Sequence, residues 1–213
     1  MLNPKGGDLV EHRDNYALQA AGAKAAFLRY DQEALCRKLK LRSDERYLYP
    51  VLLSKQYRID RATADFSKLD ADRWVSADSF EEVMTLLDLI CDSREDRAIS
   101  GKWKNMQSFG LQFHRNLLEN ARDPVAERFA LAPEAFVRGC EALGGERLPQ
   151  GDVGYAIELF DGLKIGIQLW LGDEEFPSRL KYMWDENALM YIRYETMYFA
   201  RGLLLRRIEE EMR

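Results

Sequence analysis

The chain has 213 residues, of which 46% are hydrophobic and 31% charged, and a formal net charge of −5; such a chain can bury a core without disulfide or metal staples. Its apolar runs are too short to span a bilayer and its amino terminus lacks the basic-then-apolar pattern of a secretory signal, so a cytoplasmic protein without a membrane segment is expected. The acidic balance argues against a nucleic-acid partner, which needs a concentrated basic surface, and Cys36, Cys91 and Cys140, odd in number and without a Cys-x-x-Cys pair, read as small buried hydrophobes in a reducing compartment.

In chain order, Tyr16, Ala20, Ala23, Phe27 and Tyr30 fall on one helical stripe. Asp31 then stands as the N-cap of a second, short helix with Glu33 in its first turn. Residues 47–60 carry strand-like side chains on both sides of Ser54-Lys55 and predict a hairpin, with Pro50 restricting its first run to an edge or a bulge. A loop is expected through Asp70 and Trp74. Asp78 or Ser79 caps the next helix, whose inward stripe is Phe80, Val83, Met84, Leu87, Ile90 and Cys91, with Glu81 and Glu82 placed for a capping box. Residues 93–109 are polar and Gly-punctuated and read as a loop. Helices are expected over 111–120 and 133–143, the second with Pro133 in its first turn and Gly144 at its end.

The stretch 151–184 is the centre of the architecture. Tyr155, Ile157 and Leu159 alternate with Ala156, Glu158 and Phe160; after Asp161-Gly162 the alternation resumes as Leu163, Ile165, Ile167, Leu169 and Leu171 against Lys164, Gly166, Gln168 and Trp170. Period two predicts strands, and Asp-Gly between two such runs predicts a hairpin. One face is aliphatic and buried; the other is mixed and reads as partly covered. A turn at 172–177 and a strand at 178–184 follow, then a helix from about 191 to the end with Tyr194, Met197, Tyr198, Leu204, Leu205, Ile208 and Met212 inward. Within it Glu195 reads as a hydrogen-bonded structural residue in apolar surroundings. The class is α+β, an antiparallel sheet with hairpins near 47–60 and 153–184 and helices packed on it, in a single domain over 1–213. A hairpin followed by a helix occurs twice, near 47–91 and 155–212; a duplication would predict one continuous sheet.

No catalytic motif is present. His12 and His114 sit in no spaced metal motif, no Gly-rich loop closes on Lys-Ser/Thr, and no Gly-x-Ser-x-Gly elbow occurs. The sequence therefore specifies no catalytic residue, metal or cofactor. The candidate chemistry is acidic and aromatic: Asp173, Glu174 and Glu175 after one strand, and Trp184, Asp185 and Glu186 at the end of the next. If the two strands are neighbours, the carboxylates could converge on a hard cation or a protonatable substrate; the alternative is that they solvate and close a turn. Trp103, between Lys102 and Lys104, reads either as a stacking element for a ligand or as the anchor of a long loop.

The run from Trp170 onward, with Gly172 to Pro177, Trp184-Asp185 and Glu195, resembles the carboxy-terminal signature of a bacterial and archaeal family, the domain of unknown function 3786. Gly101 to Trp103 and Gly144-Gly145 look like further family positions. Two departures stand out: Trp184 in place of Phe, and Ile192-Arg193-Tyr194 in place of a Leu-Pro pair before the Glu. Some relatives carry an added iron–sulfur domain like that of corrinoid proteins, which implies a redox or corrinoid context for those members; the chain has no cluster-binding cysteines.

Beside a reading in which the acidic turn is only structural and any function lies in oligomerisation through the aromatic-rich terminal helix, the sequence gives rise to two expectations for function. The first is a non-catalytic binding module for a small molecule or a partner protein, with Trp103, Trp170, Asp173, Glu175, Trp184 and Asp185 as contact residues. The second is an enzyme using the same carboxylates as acid and base or as metal ligands.

Overall fold

The computed structural model of the protein describes residues 7–109 and 123–213; the helix expected over 111–120 lies outside them. The fold is α+β, with two compact units and two antiparallel sheets. One unit takes in the described residues up to Val51 together with Lys55–Ser93, and the other comprises Leu52–Ser54 and the described residues of Arg94–Arg213. Because the strands form two sheets, the continuous sheet expected from a duplicated hairpin and helix is not formed. Among the described residues no helix is long and apolar enough to cross a membrane.

The first unit opens with helices α1 (Gly7–Phe27) and α2 (Gln32–Leu39). Of the stripe expected on α1, Phe27 is buried and Tyr16 and Tyr30 are exposed, the Tyr16 ring lying 4.6 Å from that of Phe80. Asp31 caps α2 as expected, its carboxylate accepting from the Ala34 N–H at 3.0 Å. Strands β1 (Arg42–Ser43), β2 (Tyr47–Tyr49), β3 (Val51–Leu52), β4 (Lys55–Asp60), β5 (Phe66–Asp70) and β6 (Arg73–Ser76) form one sheet in the order β1-β2-β4-β5-β6, with β3 beside β4. The segment expected as a loop is thus the β5–β6 hairpin. Phe66 is its one buried residue, so no alternation of apolar side chains marks it, and its turn is made by Ala71 at φ 49° rather than by glycine. Helix α3 (Phe80–Leu87) is capped by Ser79, one of the two expected cap residues, whose hydroxyl accepts from the Glu82 N–H at 3.3 Å and donates to the Glu82 carboxylate at 2.8 Å. It runs into a π-turn over Asp88–Asp92.

The second unit contains β7 (Trp103–Asn105), α4 (Pro124–Ala130), α5 (Pro133–Ala142), β8 (Glu146–Arg147), β9 (Val153–Phe160), β10 (Leu163–Trp170), β11 (Arg179–Asp185) and α6 (Tyr194–Glu211). Its sheet has the order β7-β11-β10-β9-β8. The β9–β10 turn is the expected one: Asp161 and Gly162 have φ of 49° and 80°, the doubly left-handed geometry that suits the strand twist. Ile157, Ile165, Ile167, Leu169 and Trp184 are fully buried on one face, and Ala156 and Gln168 are buried on the other, so both sides of this hairpin are covered. Helix α4 lies against β10 and β11, and α5 against β9 and α6. Two expectations are corrected. The loop over 93–109 contributes β7 to the sheet edge, and α6 starts at Tyr194, after a 3-10 turn at Ala188–Met190, which leaves Glu195 exposed in a first helical turn rather than enclosed by apolar side chains. The three cysteines are free; Cys36 and Cys140 are buried and Cys91 half-buried.

Candidate functional site

The residues singled out in the sequence fall at opposite ends of the second sheet. Trp184 is 0% exposed on the aliphatic face, opposite Ile165. Asp185, 5% exposed, accepts the backbone N–H groups of Ser100 at 3.0 Å, Gly101 at 2.8 Å and Asn187 at 2.8 Å. Burial alone would push its carboxyl up, but these N–H donors outweigh it and hold the group below the usual carboxylate range. Trp103 pairs with Asp185 across β7 and β11, and its ring covers Gly166, where an added Cβ would stand 3.3 Å from the indole. It keeps 39% of its surface exposed.

Trp170, opposite Arg179, lies at the other end, with the Lys181 ammonium 4.7 Å from its ring centre. Asp173 closes the adjoining turn by accepting from the N–H groups of Glu175 at 2.9 Å and Phe176 at 2.7 Å, and Glu175 is exposed. The seven residues of β11 span about 20 Å. Asp173 and Glu175 therefore do not converge with Asp185. The reason is topological: the turn joining two antiparallel neighbours sits at the end opposite to where the second strand stops. Among the described residues no three His, Cys, Asp or Glu side chains come together in a way that could hold a metal ion.

A different cluster assembles on the first sheet. Leu48, Ile59 and Phe66 are buried on its inner face. By the two-residue period, Arg42, Tyr47, Tyr49, Arg58 and Trp74 share the outer one. The Arg58 guanidinium lies 4.7 Å from the ring centres of both Tyr47 and Trp74. Tyr49 and Trp74 are 6.2 Å apart, Arg42 stacks 4.3 Å over Tyr49, and Arg46 lies 5.0 Å over Tyr47. Two carboxylates border the cluster and both are committed. Asp44 accepts the Tyr49 hydroxyl at 2.6 Å and the N–H groups of Arg46 and Tyr47. The Tyr49 hydroxyl, foremost, and those backbone donors keep the Asp44 carboxyl below the usual range, while Asp44 raises the Tyr49 phenol. Asp60 accepts Arg46 at 3.2 Å and the N–H groups of Ala62 and Thr63. Arg58 has neither a hydrogen bond nor a carboxylate partner among the described residues, and its Nε is buried.

This cluster was not read from the sequence. Its one local signal is the equal parity of Tyr47 and Tyr49 and of Arg58 within their strands. Trp74 joins it only through the β5–β6 hairpin, in the segment expected as a loop.

The family described as Domain of unknown function (DUF3786) matches residues 31–207, a span that takes in the arginine and aromatic cluster, the GDEEFP turn, Trp184-Asp185 and Glu195. No curated protein and no solved structure matches the chain. With most of its length matched, the chain belongs to the DUF3786 family.

Proposed function

We propose that the protein is a non-catalytic binding module for a small anionic molecule, and that its contact surface is the outer face of the first sheet. The observation that carries this reading is Arg58: a guanidinium 4.7 Å from the centres of two rings on a half-exposed face, with no carboxylate partner among the described residues. A cation oriented by the fold and left without an internal anion is suited to an external one, because the cost of fixing the side chain has already been met on folding. Contact is placed here rather than at the second sheet because Trp184 is buried there and the bonds of Asp173 and Asp185 are taken up by backbone N–H groups.

The test is calorimetric titration of the purified protein with inorganic phosphate at low salt. Saturable binding is expected, weakened about tenfold or more by Arg58→Lys, which keeps the charge and loses the planar fork. Equal affinity in the two proteins would refute the assignment.

A further inference from the structure

Resting on that reading, we infer that the ligand joins one flat aromatic ring to one phosphate group, as a nucleoside monophosphate does. Three features of the cluster point to this class. The Arg58 guanidinium lies 4.7 Å from two ring centres and its Nε is buried without a hydrogen-bond partner, so the terminal nitrogens are left to meet a ligand. That approach is the two-pronged geometry matched by a phosphate or carboxylate. Tyr47, Tyr49 and Trp74 are each half-buried beside that cation. A flat ring can stack there, and stacking of a base on such aromatics contributes on the scale of a tenfold change in affinity.

The third feature is the limit set on charge. Asp44 and Asp60 border the cluster, and Asp70 and Asp72 are exposed at the β5–β6 turn. These four carboxylates offset the charges of Arg42 and Arg46, and the chain as a whole is acidic at −5, so little net positive charge is left for a second and a third phosphate. A short ligand with one phosphate satisfies Arg58 and avoids that fence, whereas a nucleic-acid strand running over the face would meet it.

The deciding experiment is a set of calorimetric titrations of the full chain with adenosine monophosphate, adenosine, inorganic phosphate and a single-stranded oligoadenylate of twelve or so nucleotides, about the length of a common single-strand site. Adenosine monophosphate is expected to bind at least tenfold more tightly than phosphate or adenosine. Trp74→Leu should erase its advantage over phosphate, and Arg58→Lys its advantage over adenosine, with thermal melts reporting that both variants are folded. If Trp74→Leu does not fold, Trp74→Phe, which keeps a ring, should retain the preference, and losing it would count against the stacking role. Phosphate binding as tightly as adenosine monophosphate would overturn the nucleotide class and leave the anion reading standing. No binding of any anion would remove both. Tighter binding of the oligoadenylate than of adenosine monophosphate would overturn the small-ligand assignment in favour of a strand.

Discussion

Asp185 illustrates how a carboxylate that looks like a ligand can be part of the scaffold. Buried and accepting three backbone N–H groups, it ties residues 100–101 to the end of β11, where Gly101 at φ 76° allows the chain to turn its amides inward. Asp185→Asn keeps the shape and loses the charge, and should lower stability by about 1–3 kcal/mol at neutral pH, measured by urea denaturation. Its folded pKa is depressed below the ordinary 3.8, so the stabilisation is present above that value and lost as pH falls through the lower, folded one. The gap between wild type and variant should therefore be constant at neutral pH and narrow below about pH 4. A gap that widened on acidification would contradict this role. Glu82 follows the same logic in the first unit: burial opposes its charge, but Lys68 at 2.9 Å and the hydroxyls of Tyr57 and Ser79, both at 2.8 Å, hold its carboxyl low.

Among the elements, β9 and β10 were legible because local rules agree there. Alternation sets the faces and Asp161-Gly162 sets the turn. Gly162→Val, forcing a β-branched side chain to φ 80°, should cost about 1 kcal/mol or more in chemical denaturation, whereas Gly202→Ala, in open space on α6, should be neutral or slightly stabilising. Packing of α5 on α6 depends on Gly139, where an added Cβ would lie 2.8 Å from the Ile208 carbonyl oxygen. Gly139→Leu should push the helices apart and lower stability by about 1–3 kcal/mol, seen as a lower melting temperature. Strands β5, β6 and β7 were missed for a shared reason: each sits near a sheet edge with few buried residues, so hydrophobic periodicity is absent although the backbone is paired.

For the whole molecule, the central place of β10 in its sheet and the burial of both faces of the β9–β10 hairpin imply that its amides are the last to open. Hydrogen exchange should show the slowest rates at Ile165 to Leu169 within the second unit and fast rates in the exposed turn at 173–176. Charge acts at the same scale. With a sequence pI near 5.3 and −5 at neutral pH, the protein should be least soluble close to pH 5.3 and better dispersed at pH 7, which light scattering across that range can check.

The sequence by itself determined the α+β class, the Asp31 helix cap and a second cap at Asp78 or Ser79, the β9–β10 hairpin and the family signature from Trp170 onward. All of these rest on spacings of a few residues, where turn chemistry, capping and period act without help from the rest of the chain. Tertiary structure alone decided which strands share a sheet, that Asp173 and Asp185 stand at opposite ends of one hairpin, and that Arg58 lies between Tyr47 and Trp74. Those relations depend on register between strands distant in sequence, and register is fixed by the burial of inner faces and by pairing across the sheet, which no local spacing encodes.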